Sequence, residues 1–400
     1  MTTNHASNTV DVAMLAMRAM RATRATIDLA ALRHNVAVLA EQAGTLQLWA
    51  VVKANAYGHG AVQCAQAALA AGAHGLCVAL TQEAVELRIA GIDAPIMVLS
   101  EQPVEDAPIL VAHRVVCVAY NEHYIAALAS AALASAALAS AAATQAERTL
   151  VHLKIDTGMH RVGVAPAAAV ARAQMIAHSK HLVLDGVMTH LATADDPEHS
   201  ATMRQIAAFT EVVHNIRAVV PNLQHVHVAN SAATLRALGL DCTLVRAGIA
   251  LYGLQPGAGV ASLVAGLQPV MALRTRVLHV QRLSAGQGVS YGLRTVLDRD
   301  STIATLPLGY ADGIARRAWQ TSARVLVGGR ARRIVGVVTM DQMMVDCGDD
   351  AVAVGDEAVI FGTQSQQSIT VDDWAAALDT ISYEVVCAIS PRVPRDFVGA

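Results

Sequence analysis

The chain has 400 residues and a net charge of -3, and it is 54% hydrophobic but only 3% aromatic. That length allows two domains and a large core, and the weak negative charge argues against nucleic acid or an anionic membrane as a partner. The six cysteines (Cys64, Cys77, Cys117, Cys242, Cys347 and Cys387) are scattered without a C-x-x-C pair, which fits buried thiols in a reducing, cytoplasmic setting better than disulfides or a metal site.

Residues 1 to 17 contain no Lys or Arg, and the apolar part, Val12 to Met17, is too short for a secretory signal. Arg18, Arg21 and Arg24 lie in an acid-poor stretch faintly similar to an organellar presequence. Residues 1–22 read rather as a disordered or frayed extension. A strand follows within 23–29, centred on Thr26-Ile27-Asp28-Leu29, and then a helix from Ala30 to about Gln42.

A strand–helix alternation sets in next. Leu48 to Val52 reads as an apolar strand that runs straight into Lys53, then a glycine-punctuated loop and a helix from about Ala61 to Ala71. Further strands are expected at 74–79, 95–99, 115–119, 150–155, 184–189, 225–228 and 244–249, with helices at 82–90, 166–179 and 201–220. The run Tyr124 to Ala146 carries no charge and repeats A-A-L-A-S three times, yet it is poor in bulky aliphatics and does not suit a membrane span. Its leucines, Leu128, Leu133 and Leu138, recur every five residues. On a helix that advances about 140° per repeat, so they share no stripe. A surface helix with no function of its own is expected.

Eight strands separated by helices predict a TIM-like, eight-stranded α/β barrel over residues 30–265. A doubly wound open sheet is the rival, but no G-x-G-x-x-G follows the first strand. From about Gly266 the period changes to two, at 272–280, 302–306, 323–327, 333–338, 343–345 and 358–360, with one helix near 371–378. Residues 266–400, with the strand at 23–29, therefore predict a C-terminal all-β domain.

A lysine at the carboxyl end of a buried strand is either solvated or in use; desolvation there lowers its pKa, as a Schiff-base lysine requires. The same strand end supplies Tyr57, and the others supply Lys154, Asp156, Arg161, His190, Asn230, Ser231, Arg246, Gly248 and Ile249. Barrel active sites occupy that face, and phosphate is often held after strands seven and eight. Ser231 with the Gly248-Ile249 backbone offers hydroxyl and N–H donors there. A lysine on strand one opposite a phosphate site suggests pyridoxal 5'-phosphate.

V-V-K-A-N-A-Y-G-H-G, at 51–60, resembles the cofactor-lysine signature of alanine racemases. The likeness recurs in order through H-L-K-I-D-T-G-M-H-R-V-G at 152–163, M-T-H-L-A-T-A-D at 188–195, A-N-S-A-A-T at 229–234 and V-R-A-G-I-A-L-Y-G at 245–253. It continues with V-S-Y-G at 289–292, G-Y-A-D-G at 309–313, M-D-Q at 340–342 and T-I-S-Y-E at 380–384. The N-terminal extension and the alanine repeat depart from the pattern.

The resemblance implies a two-base racemisation of alanine, supplying D-alanine for peptidoglycan. Lys53 would carry the cofactor and act as one base; Tyr291, from the β domain of a partner subunit, would be the other. Two groups are needed because one takes the α-proton and the other returns it from behind. A free tyrosine has a pKa near 10, so cationic neighbours are expected for Tyr291, with His190 and Arg246 as candidates. Arg246 would face the pyridine nitrogen, and Tyr57, His190, Asn230, Ser231, Gly248, Ile249 and Tyr383 would complete the cofactor site. Arg161 and the backbone of Met340 would hold the substrate carboxylate. Lys154 is either carbamylated, as in several relatives, or a plain lysine. Asp195, Tyr310, Arg316 and Asp341 match entrance positions, although Asp341 and Arg316 could equally form a surface ion pair. A head-to-tail homodimer with shared sites follows. The alternatives are a racemase for serine or lysine, a non-enzymatic cofactor carrier, which would lack the β domain, and a barrel decarboxylase.

Overall fold

A computed structural model of the protein describes residues 21–141, 148–239 and 241–399. Its contacts divide the chain into two compact units: Ala30–Gln268, and the chain from Pro269 onward together with the segment up to Leu29. The expected extension lies outside the described residues except for its last two positions.

The unit Ala30–Gln268 holds eight parallel strands. With β1 (Arg24–Asp28) belonging to the other unit, these are β2 (Gln47–Val51), β3 (Gly75–Val78), β4 (Ile96–Val98), β5 (Val116–Ala119), β6 (Thr149–Lys154), β7 (Leu182–Met188), β8 (His225–His227) and β9 (Leu244–Ala247). From β2 to β8 each pairs with its sequence neighbour, and β2 also pairs with β9. Backbone bonds from Thr243 N–H to Val226 O at 2.9 Å and from Arg246 N–H to Ala229 O at 3.0 Å link β9 to the β8 segment and close the ring. The strands are short apolar runs with both faces covered, as a parallel sheet requires. Leu76, Ile96, Met97, Val118 and Leu153 are wholly buried. One ring makes room for itself: a Cβ at residue 75 would stand 2.8 Å from the Trp49 indole, so Gly75 is needed beside it.

The alanine repeat continues the helix Glu122–Ala141. Tyr124, Ile125, Leu128 and Ala132 are buried, whereas Leu133 and Leu138 are 54% and 73% exposed. The leucines thus do not share a face, as their spacing predicts. Among the described residues no helix is long and apolar enough to cross a membrane.

The second unit is built on one mostly antiparallel sheet. Its order is His279–Leu283, Ser301–Leu306, Met343–Gly348, Arg330–Val335, Arg324–Val327, Glu357–Gln364, Met271–Arg276, β1 and Arg395–Val398. The stretch 272–280, expected as one strand, is two. Val277 N–H bonds Asp356 O and Leu278 N–H bonds Thr305 O, both at 2.8 Å, so the chain changes partner strand there, at two adjacent apolar residues where the alternation breaks. Two elements left no signal in the sequence. Arg395–Val398 pairs parallel to β1, with an Arg24–Asp396 ion pair across the two strands. The six-residue helix Ser382–Cys387 is too short for a period to show. Arg21, assigned to the frayed extension by its composition, is tied down: its guanidinium pairs with the buried Asp312 at 2.7 Å.

Candidate active site

Lys53 follows β2 by two residues and opens a turn of unusual hand. Ala54, Asn55, Ala56 and Tyr57 all have φ of 52–53°. Left-handed backbone costs about 1–2 kcal/mol per non-glycine residue, and such strain persists only where the surroundings over-determine it. Here Ala54 N–H donates to Glu83 Oε1 at 2.6 Å, Ala61 N–H to Asn55 Oδ1 at 2.8 Å, and Gly60 N–H to Asn55 O at 2.9 Å. Tyr252 braces the strand end by donating its hydroxyl to Val51 O at 3.0 Å, and its ring packs on Tyr57 and His59.

The turn delivers the Tyr57 hydroxyl to Gly248. A Cβ on residue 248 would lie 2.6 Å from that hydroxyl and 3.7 Å from Ser231 Oγ. Ser231 Oγ in turn accepts the N–H of Gly248 at 2.8 Å and of Ala250 at 3.3 Å. Asn230 works one step back: its Oδ1 accepts Ala233 N–H at 3.0 Å and caps the short helix that begins at Ser231. Ile249, fully buried, starts the next turn. Two hydroxyls and a side-chain-free backbone thus meet in one small cradle, and that donor set suits a phosphate.

Beside the cradle is a cluster of cationic groups. Arg246 on β9 is buried, and it donates to Thr189 O at 3.0 Å, Val228 O at 3.1 Å and His227 Nδ1 at 2.6 Å. Burial lowers its pKa to about 10, which still leaves it charged at neutral pH. Lys154 ends β6, donates to Leu99 O at 3.2 Å, and is pushed down to about 8 by burial and then by Arg246, Arg161 and Lys53. Asp156 shapes the loop that carries Arg161: its Oδ1 accepts three N–H groups, from Gly158, Met159 and His160, each at 3.0 Å. His190 approaches Arg246 at 3.4 Å. Desolvation, then Arg246, Arg161, Lys154 and Lys53, hold its pKa well below the usual histidine value. His190 is therefore neutral in this chain. Asp195 is exposed and lies against Gly257, where a Cβ would come within 2.5 Å of its carboxylate.

The second unit carries the remaining candidates. Tyr291 sits at the tip of a hairpin, Gly288–Val289 with Thr295–Val296, anchored by Val289 and Leu297 in an apolar cluster with Ile303 and Val335. Ser290 Oγ donates to Val337 O at 2.7 Å, and Gly336 leaves space for Ser290, whose Cβ a side chain there would meet at 2.7 Å. Tyr310 N–H donates to Thr339 O and Ala311 N–H to Met340 O, at 3.0 and 3.1 Å. The segment 336–341 thus gathers Tyr291, Tyr310, Met340 and Asp341 on one edge. In this chain Tyr291 is 71%, Met340 52% and Tyr310 41% exposed. Asp341 does form an ion pair, but with Arg392 at 2.7 Å rather than with Arg316. Arg316 lines a cavity with Tyr310, Trp374 and Glu384, and Tyr383 lies half-buried on the helix Ser382–Cys387.

A family model described as the alanine racemase N-terminal domain matches residues 27–256, and one described as the alanine racemase C-terminal domain matches residues 270–397. The chain belongs to the alanine racemase family. An alanine racemase of Thermobifida fusca (strain YX) is 43% identical over 378 residues, covering 94% of this chain and 97% of that protein. One of Mycolicibacterium smegmatis is 40% identical and covers 94% of each. Among solved structures, alanine racemase from Streptomyces coelicolor A3(2) superposes with a TM-score of 0.89 at 38% identity, covering 96% of this chain and all of that one. That of the D-cycloserine-producing Streptomyces lavendulae gives 0.88 at 38% identity, with 95% and 98% covered. As an alanine racemase, the enzyme interconverts L- and D-alanine, on an eight-stranded barrel joined to a mostly β second unit.

Sequence reasoning missed Glu83, His152, Asp185 and His227 in this alanine racemase. One signal was available for His152: it precedes Lys154 by two residues on β6, so both side chains face the same side of the sheet.

Proposed function

We propose that this alanine racemase works with pyridoxal 5'-phosphate and two opposed bases, Lys53 and Tyr291. The observation that carries the reading is the cradle at Gly248, where Tyr57 and Ser231 present hydroxyls to a position with no side chain. Ile249 and Tyr383 complete the phosphate ligands, and Asn230 holds the cradle's turn. Lys53 would hold the cofactor covalently, and Arg246 would face its ring nitrogen with His190 beside it. Pyridoxal phosphate, when bound, supplies an electron sink for the substrate α-carbon. The chain's own groups move the proton. Lys53 and Tyr291 stand on opposite sides, one removing the α-proton and the other returning one, with their jobs exchanged in the reverse direction. Arg246 cannot give up its proton in this range, so it donates and does not accept. Arg161 with the Met340 backbone N–H holds the alanine carboxylate. Asp195, Tyr310, Arg316 and Asp341 border the entrance.

Tyr291, Met340 and Tyr310 come from the second unit and are exposed in a single chain. Large exposed apolar groups on one edge favour association, and a head-to-tail homodimer would let each barrel use its partner's β domain. The free cysteines support a cytoplasmic enzyme, one that supplies D-alanine for peptidoglycan. Lys154, partly neutral near pH 8 among three other cations, suits carbamylation.

The test is an absorbance spectrum of the purified enzyme followed by a D-alanine assay. Bound cofactor absorbs in the visible, and Lys53→Ala should lose both that band and turnover. A Lys53→Ala protein that stayed yellow and active would sink the assignment.

A further inference from the structure

Inside the barrel runs a line of hydrogen bonds that the proton transfer does not use. Arg246 Nη1 lies 2.6 Å from His227 Nδ1, His227 Nε2 lies 2.8 Å from His152 Nδ1, and His152 Nε2 lies 3.1 Å from Asp185 Oδ2. Both imidazoles are wholly buried. The two ends fix the direction of the line. A guanidinium can only donate and a carboxylate can only accept. His227 therefore accepts at Nδ1 and carries its proton on Nε2, and His152 accepts at Nδ1 and donates from Nε2. Every donor then has one acceptor, with both rings neutral. Gly186 belongs to the same construction, since a Cβ there would stand 2.6 Å from the His152 ring. Arg246 also donates to the carbonyls of Thr189 and Val228 and approaches the neutral His190. Asp185 is the carboxylate toward which the line leads; it is shared with His225, whose Nε2 is 3.8 Å away.

We propose that Asp185 is a positioning residue for Arg246, acting through His152 and His227 as a one-way hydrogen-bond relay across the barrel core. The carboxylate draws on the His152 N–H, which makes each next nitrogen a better acceptor, and the guanidinium is held in one orientation. The effect on catalysis rests on the assignment of Arg246 to the cofactor ring; the tautomers do not.

Solid-state 15N NMR of histidine-labelled wild-type enzyme, with each ring assigned by substitution, reads the relay directly. His152 and His227 should both be neutral with the proton on Nε2. Either ring protonated on Nδ1, or present as imidazolium, would overturn the proposal. Asp185→Asn should shift the His152 and His227 resonances and lower kcat about tenfold, within the range seen for second-layer partners of catalytic groups, while KM for alanine changes little. Asp185→Glu should recover part of both effects. A fall in kcat with the two rings unchanged would mean a merely structural role and would refute the relay, as would no change in either. If the tautomers are as stated but Lys53→Ala remains active, the cofactor assignment fails and the relay stands.

Discussion

The hydroxyl oxygen of Ser231 accepts the N–H of Gly248 at 2.8 Å, and the same glycine faces the Tyr57 hydroxyl from the other side. Three strand ends, β2, β8 and β9, meet there. A methyl at 248 would fall 2.6 Å from the tyrosine oxygen, so the Tyr57 ring would have to shift away from the cradle. Gly248→Ala should weaken pyridoxal phosphate binding by at least about tenfold, roughly the worth of one charge-assisted hydrogen bond. Titration of the cofactor-free protein by absorbance measures this. Unchanged affinity would place the phosphate elsewhere.

The two bases make an asymmetric prediction. Tyr291→Phe removes the phenol and leaves the amine, so one enantiomer should still lose its α-proton. Single-turnover deuterium exchange from L- and D-alanine should show a much larger loss for one than for the other. Equal losses count against opposed bases.

Shared sites can be tested with two dead variants. In a mixed dimer of Lys53→Ala and Tyr291→Phe chains, one site carries both substitutions and the other carries neither. After subunit exchange, half of the dimers are mixed, so about a quarter of wild-type activity should return if each barrel uses its partner's tyrosine. If exchange is shown by mass and no activity appears, the site is not shared.

Lys154 gives a pH dependence with a definite sign. Its folded pKa of about 8 lies below the roughly 10.4 of a free lysine. Between those values the unfolded chain binds the proton and the native chain does not, so this group's contribution to stability rises with pH. It is fully present above the unfolded value and is lost as pH falls to about 8. In carbonate-free buffer, the stability of wild type relative to Lys154→Met should increase from pH 8 to 10 in denaturant titrations. A flat or falling difference means that Lys154 is solvated.

The same amine, with a pKa of about 8, is partly neutral near neutral pH, and carbon dioxide adds to neutral amines with loss of a proton. Wild-type enzyme equilibrated with 13C-bicarbonate should show a carbamate carbon signal that is absent in Lys154→Met. Its absence from the wild type would leave Lys154 as a plain cation.

The chain's alternations were readable because they are local. Strands β2 to β9 and their helices follow from apolar runs and periods a few residues long, and Lys53, Lys154, Ser231 and Arg246 could be placed at strand ends by counting. The ordered motifs named the family. Tertiary structure decided what depends on residues far apart in sequence. The break at Val277-Leu278 reflects a change of partner strand, and which strand each half pairs with is not written in the local pattern. The left-handed turn at 54–57 is held by Glu83 and Asn55, and of its four residues only Asn55 has any local tolerance for that hand. The line from Arg246 to Asp185 joins four strands, and the neutrality of His190 comes from desolvation and four surrounding cations. A sequence fixes which groups a chain owns; which of them share a low-dielectric interior, and so set one another's charge, is settled only when the strands are packed.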